Sequence, residues 1–199
     1  MLESRVRKTN DGPNITSLEK ALLQVKKMNM MVNGFLNASS FDSGKIYLNL
    51  QDFQMDSLLD EIVEEMAMIT TSHTITLQHC LALTVKADRD KIGQVINNFL
   101  SNAIKYSAKG ENIEVSCKQL KGVVHVSVRD HGAGIKPEDR KKLFERYFRV
   151  ESRDTQAISG FGLGLYLSAE IIQRHNGKVW VESEIGTGST FYFSLPILN

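Results

Sequence analysis

Asn97, Asn98 and Asn102 lie within a stretch, Asp88 to Ser107, that otherwise reads as one long helix. Asparagine prefers caps and turns to helix interiors, so three of them there need a reason. Two readings are open. They can form a solvated polar face, or an amide oxygen can serve Mg2+, which keeps most of its ligands as water and phosphate oxygen and takes one or two from protein. Asn98, Asn102 and Lys105 are spaced i, i+4 and i+7, which puts them on one face with Tyr106 at its edge. Lys105 can meet a phosphate there as a point charge.

Two more clusters have chemical potential. Asp130-His131-Gly132-Ala133-Gly134 follows an alternating strand, where glycines let a ligand approach the backbone and an aspartate can accept a hydrogen bond from an exocyclic amine, as on an adenine edge. Gly160-Phe161-Gly162-Leu163-Gly164-Leu165 opens a helix, so bare N–H groups and the positive dipole end can face phosphate oxygens. The run is not a Walker sequence, because no Gly-Lys-Ser/Thr follows. Nor is it a dinucleotide fingerprint, because a polar segment and not a strand precedes it.

The elements that must hold these clusters follow from periodicity. In the central stretch Ile92, Val95, Ile96, Phe99, Ala103 and Ile104 recur at helical spacing, and Asp88 can cap the start. Met55 to Ile69 is a second amphipathic helix. Strand patterns occupy Ile46 to Gln51, Thr74 to Gln78, Leu83 to Val85, Asn112 to Leu120, Val123 to Val128, Lys178 to Ser183 and Ser189 to Leu195. Lys121-Gly122 joins two of them as a hairpin turn. Pro137 starts a short helix, Glu151 to Ser159 is a polar stretch suited to a lid, and Tyr166 to Gln173 is helical. Towards the N-terminus, residues 1–9 read as the end of one helix and Ile15 to Ser40 as another. Leu18, Leu22, Val25, Asn29, Val32 and Leu36 form a 4-3-4-3-4 stripe that suits a bundle between two chains or docking on the chain's own domain.

The 199 residues suffice for one good-sized core plus an appendage. Lys and Arg total 24 against 23 Asp and Glu, a net charge of +1, which gives no electrostatic argument for nucleic acid or a membrane surface. No apolar run reaches the roughly 18 residues of a membrane span, and no signal-peptide pattern opens the chain. Cys80 and Cys117 read as reduced core residues of a cytosolic protein. His73, His79 and Cys80 lack a second ligand pair at zinc spacing and read as ordinary strand residues.

Asn98-x-x-x-Asn102-x-x-Lys105-Tyr106, Asp130-x-Gly132-x-Gly134, Phe144-x-x-x-Phe148-Arg149, Gly160-x-Gly162-x-Gly164 and Gly186-Thr187-Gly188-Ser189-Thr190-Phe191 occur in the order of the N, G1, F, G2 and final boxes of sensor histidine kinases. From Lys45 to Pro196 the chain resembles the catalytic ATP-binding domain of that family, of the GHKL or Bergerat type. Residues 1–42 resemble part of its dimerisation and histidine-phosphotransfer hairpin, and 45–199 its catalytic domain. The resemblance implies a two-layer α/β (α+β) sandwich, a mixed sheet with helices on one face. It implies that Asn102 coordinates Mg2+, that Asn98, Lys105 and Arg149 act on the phosphates, and that Tyr106 lies against the nucleotide. Asp130 would recognise the adenine amine and Thr190 would complete its pocket. Gly162 and Gly164 would cradle phosphates, with Gly132, Gly134, Phe148, Gly160, Leu163 and Leu165 completing the ATP-binding set.

Such a protein is a cytoplasmic, Mg·ATP-dependent protein-histidine kinase. Its partners are a response-regulator receiver domain and, through the hairpin, a second copy of itself, with neither nucleic acid nor membrane contacted by this part of the chain. Two departures matter. Phe161 replaces a small polar residue common in the family, and none of His73, His79, His125, His131 or His175 has the acidic and Thr-Pro surroundings of the phosphoacceptor. Residues 1–9 then read as the tail of the acceptor helix, and the chain is expected to bind nucleotide without phosphorylating itself. A silent nucleotide-binding scaffold and a gyrase- or chaperone-type ATPase are the competing readings. The F box and the bundle helix count against the second.

Overall fold

The computed structural model describes residues 47–78, 81–150 and 161–198. The expected hairpin remnant, the lid from Glu151 to Ser159, and Gly160 lie outside them. The chain runs β1 (Gln51–Gln54), α1 (Met55–Ile69), β2 (Thr74–Leu77), β3 (Thr84–Ala87), α2 (Arg89–Tyr106), β4 (Asn112–Leu120), β5 (Val123–Asp130), α3 (Pro137–Arg140), α4 (Gly164–Arg174), β6 (Lys178–Glu184) and β7 (Gly188–Pro196). Five strands form one sheet in the order β2-β4-β5-β7-β6, and β1 pairs separately with β3. β2 runs parallel to β4 while the other neighbours are antiparallel, so the sheet is mixed as expected.

Alternation along the strands makes one face of the sheet apolar. Val115 and Cys117 on β4, Val124, Val126 and Val128 on β5, and Phe191, Phe193 and Leu195 on β7 are all buried. Against them α2 lays Ile92, Val95, Ile96, Phe99 and Leu100, each fully buried. Phe99 is the central contact, its ring 5.5 Å from Phe191 and 6.3 Å from Phe193. Burying such a side chain contributes about 1.5–3 kcal/mol. The other face is polar and aromatic: Ser116 and Ser127 share a 2.7 Å hydrogen bond, and Trp180 stacks on Tyr192 at 5.0 Å.

Several sequence readings need adjustment. The strand expected at Ile46 to Gln51 begins only at Gln51, because the preceding residues are tied elsewhere: the Asn49 N–H donates to Asp88 Oδ2 at 3.0 Å. Ile104 is half-buried and Leu100 takes its place in the core. Cys117 is disulfide-bonded, not a reduced thiol. The parallel pairing of β2 with β4, continued by the Gln78 N–H to the Val115 carbonyl at 2.8 Å, brings distant sequence alongside Cys117. The β4–β5 turn is as expected, with Lys121 and Gly122 both in the left-handed region at φ 49° and 80°.

Gly93 stands inside α2, where glycine is a poor helix former. A methyl there would meet Ile62 Cδ1 at 3.6 Å and Leu58 Cδ1 at 3.9 Å, ordinary contacts. Gly93→Ala is therefore expected to stabilise the fold by about 0.5–1 kcal/mol. A urea titration reads this as a higher midpoint at constant slope.

Candidate functional site

α2 is anchored at its start so that its second half is held in place. Asp88 Oδ1 accepts from the Lys91 N–H at 3.1 Å, the N-cap bond expected from sequence. The backbone N–H of Asp88 donates to His175 Nε2 at 2.9 Å, and His175 Nδ1 donates to the Ile171 carbonyl at 2.7 Å. His175 is thus a buried neutral imidazole that ties the end of α4 to the start of α2.

From the other half of α2 come the polar residues. Asn98 Nδ2 donates to Ser168 Oγ on α4 at 3.0 Å. Asn98 also lies against Gly164, since a Cβ there would stand 2.5 Å from Asn98 Oδ1. Asn102, one turn on, is half-buried, and no described residue hydrogen-bonds its carboxamide. The Lys105 ammonium is partly desolvated, which lowers its pKa from the usual lysine range. Tyr106 ends the helix with its ring substantially exposed. Its carbonyl presses on Gly132, where any side chain would overlap it.

Gly132 leads to the one buried carboxylate on the sheet. Asp130, 3% exposed, accepts at Oδ1 from the Gly132 N–H at 2.9 Å and from the Ser189 N–H at 3.2 Å. Both bonds fall on one oxygen, which leaves Oδ2 for a ligand. Burial pushes this carboxyl above its ordinary pKa, while the two amide bonds and His131 oppose that rise. His131 itself reaches Glu114 at 3.3 Å. Gly134 packs against the backbone of Glu184 and Ile185, so the loop after β5 is fastened to the β6–β7 turn.

Gly162 lies against the backbone of Tyr147 and Phe148, and its carbonyl accepts from the Tyr147 N–H at 3.0 Å. Phe148, Leu163 and Leu165 are half-buried and Arg149 is exposed. α4 then opens at Gly164 with no side-chain cap and no acidic residue in its first turn. Its first N–H groups therefore remain available to an anion, and the dipole favours negative charge there. The N, G1, F and G2 segments thus form one chain of contacts: Asn98 to Gly164, Tyr106 to Gly132 and Asp130, and Gly162 to Tyr147 and Phe148.

Thr190 does not join them. The register sets Ser189 opposite Asp130, and Thr190 opposite Arg129 and Glu182. Side chains alternate along a strand, so Thr190 faces the side of the sheet away from the helices, with Tyr192, whose hydroxyl donates to Glu182 at 2.9 Å. Ser189 is the residue beside the carboxylate. Sequence reasoning also missed Ser168 and Arg146, whose guanidinium lies 4.6 Å over the Tyr166 ring and donates to its hydroxyl at 2.8 Å. Neither carries a motif signal, because both act through partners far away in sequence.

The donor set fits a divalent cation that arrives with a nucleotide. Among the described residues no three His, Cys, Asp or Glu side chains converge on a metal site. Asn102 offers one amide oxygen, which suits Mg2+ that keeps water and phosphate as its other ligands.

Comparisons with known proteins agree with this fold. Residues 87–199 match the model of the histidine kinase-, DNA gyrase B-, and HSP90-like ATPase family. The chain is 33% identical over 177 residues to the sensor histidine kinase WalK of Bacillus subtilis, covering 87% of this chain and 29% of WalK. It therefore spans about three-tenths of the length of such relatives. Among solved structures, the mycobacterial sensor histidine kinase MprB superposes with a TM-score of 0.66 at 25% identity, over 74% of this chain and 97% of that one. Full-length ShkA in complex with AMPPNP gives 0.77 at 26% identity, over 94% of this chain and 39% of that one.

Proposed function

The chain belongs to the histidine kinase-, DNA gyrase B- and HSP90-like ATPase family, and from that premise we propose that it is the ATP-binding catalytic part of a cytoplasmic sensor histidine kinase. In this reading 45–199 form the catalytic domain and 1–42 belong to the helical hairpin through which the full protein pairs with itself. The γ-phosphoryl group of ATP passes to a histidine nitrogen as its bond to the bridging oxygen breaks, leaving ADP. The histidine later gives the group to an aspartate of a response-regulator receiver domain.

The observation that carries the reading is the pairing of a buried carboxylate, Asp130 with one oxygen unspent, with the uncapped start of α4 against Asn98. The first suits an adenine amine and the second an anionic phosphate tail. Mg2+ on Asn102 would neutralise phosphate charge. Lys105 and Arg149 add cations at the phosphate end, and the backbone N–H groups at Gly164 orient the group, so catalysis is chiefly positioning and charge stabilisation.

No membrane-spanning helix occurs among the described residues. None of the five histidines has acceptor surroundings, so the test supplies one. With labelled ATP and a separate acceptor hairpin, the chain is expected to label the hairpin and not itself. ATP binding without labelling under conditions where a known kinase labels the same hairpin would favour a silent scaffold. In calorimetry, Asn102→Ala is expected to weaken Mg·ATP binding by about tenfold or more, the worth of one good polar contact, and to erase the difference between titrations with and without Mg2+. A retained Mg2+ effect would remove Asn102 from the metal's ligands.

A further inference from the structure

We infer that Ser168 is a positioning residue for the phosphate end of the site, fixing which way the Asn98 carboxamide faces. The inference rests on the nucleotide-binding reading above.

A serine hydroxyl has one proton. That of Ser168 is directed to the Gly164 carbonyl at 3.1 Å, one turn back in α4. Towards Asn98, 3.0 Å away, the same oxygen then acts as an acceptor, so Asn98 turns its Nδ2 to Ser168. The carboxamide is planar, so giving Nδ2 to Ser168 leaves Oδ1 the other position. It is the nearer of the two atoms to Gly164, 2.5 Å from where a Cβ there would be against 3.2 Å for Nδ2, at the start of α4.

Ser168 is 2% exposed, so water does not compete for these bonds. Without its hydroxyl the carboxamide loses the one hydrogen bond among the described residues that distinguishes its nitrogen from its oxygen. An oxygen turned towards phosphates is unfavourable alone and favourable beside a cation or its bound water. The orientation Ser168 imposes therefore serves the metal-bound nucleotide in particular, and the sequence boxes contain no sign of it.

Ser168→Ala keeps a good helix former and should fold. The expected result is a loss of about five- to tenfold in Mg·ATP affinity, the worth of one hydrogen bond, with adenosine affinity unchanged and with Ser168→Thr restoring the wild-type value. In nitrogen-15 NMR spectra the Asn98 side-chain NH2 signals are expected to shift, and their solvent exchange to quicken, in the alanine variant only. Equal losses for adenosine and Mg·ATP would reduce Ser168 to a packing residue, and an unmoved Asn98 signal would overturn the inference. If the unsubstituted chain bound no Mg·ATP, the functional reading would fall, and the amide signal would still decide whether Ser168 orients Asn98.

Discussion

Asp130→Asn is expected to weaken ATP binding by about a hundredfold or more while leaving the fold as stable as before or more so. Both amide hydrogen bonds to this residue end on Oδ1, which asparagine retains. The change falls on the other oxygen. There a carboxylate acceptor becomes an NH2 donor, which meets the donor of an adenine amine. A lost charge-assisted bond and two opposed donors together cost about 3 kcal/mol, a hundredfold or more in affinity. Stability moves the other way. Burial raises the Asp130 pKa in the folded state, so the unfolded chain releases this proton first as pH rises. Between the ordinary carboxylate pKa and the raised one the folded state holds more protons, and stability falls with increasing pH. Above that window the full cost of the buried charge is present, and asparagine avoids it. Thermal melts at neutral pH should show the variant no lower than wild type, with its relative advantage shrinking as pH drops through the carboxylate range. A variant that melts much lower at pH 7, or one that binds ATP normally, would contradict the assignment of Oδ2 to the ligand.

The difference between what sequence reading reached and what it missed follows from the range of the physical cause. α2 was legible because its causes are local: an Asp88 cap and apolar residues at helical spacing, both realised. The Lys121-Gly122 hairpin was legible for the same reason, since a two-residue turn dictates its own dihedral angles. Asp130 and the glycines that crowd its loop were visible as a motif, although only the fold explains why Gly132 must be small, with the Tyr106 carbonyl against it. Thr190 went astray by one residue, and in a strand one residue is a change of face. Register belongs to the sheet and not to the segment, so nothing between Gly186 and Phe191 could say which residue stands opposite Asp130 and lends it a backbone N–H. Cys117 and Ser168 share the same limit. Each takes its role from a partner that tertiary packing supplies.

The same closeness makes Gly188 hard to replace beside the carboxylate. Its φ of +115° is a region that side-chain-bearing residues rarely adopt, which alone costs about 1–3 kcal/mol. A Cβ would also overlap the Asp130 carbonyl oxygen and stand 2.9 Å from both the Asp130 carbonyl carbon and His131 Cα. These are backbone atoms at the end of β5 and cannot swing aside like a side-chain tip. Relief requires β7 to separate from β5, which pulls the Ser189 N–H from Asp130 Oδ1 and the Gly188 carbonyl from Ser183 Oγ. Gly188→Ala is therefore expected to cost about 3 kcal/mol or more, a fall in melting temperature of roughly 6–12 °C for a domain of this size. Gly186→Ala supplies the control. Its φ of +79° carries a similar backbone penalty, but no atom lies within 4 Å of the added methyl. If the clash with Asp130 governs, the Gly186 variant loses no more than about a third as much stability, and only the Gly188 variant also loses nucleotide affinity in excess of its unfolded fraction. Equal losses from the two variants would mean that dihedral strain alone accounts for both glycines, and that the contact between β7 and the Asp130 carbonyl is not what holds the carboxylate in place.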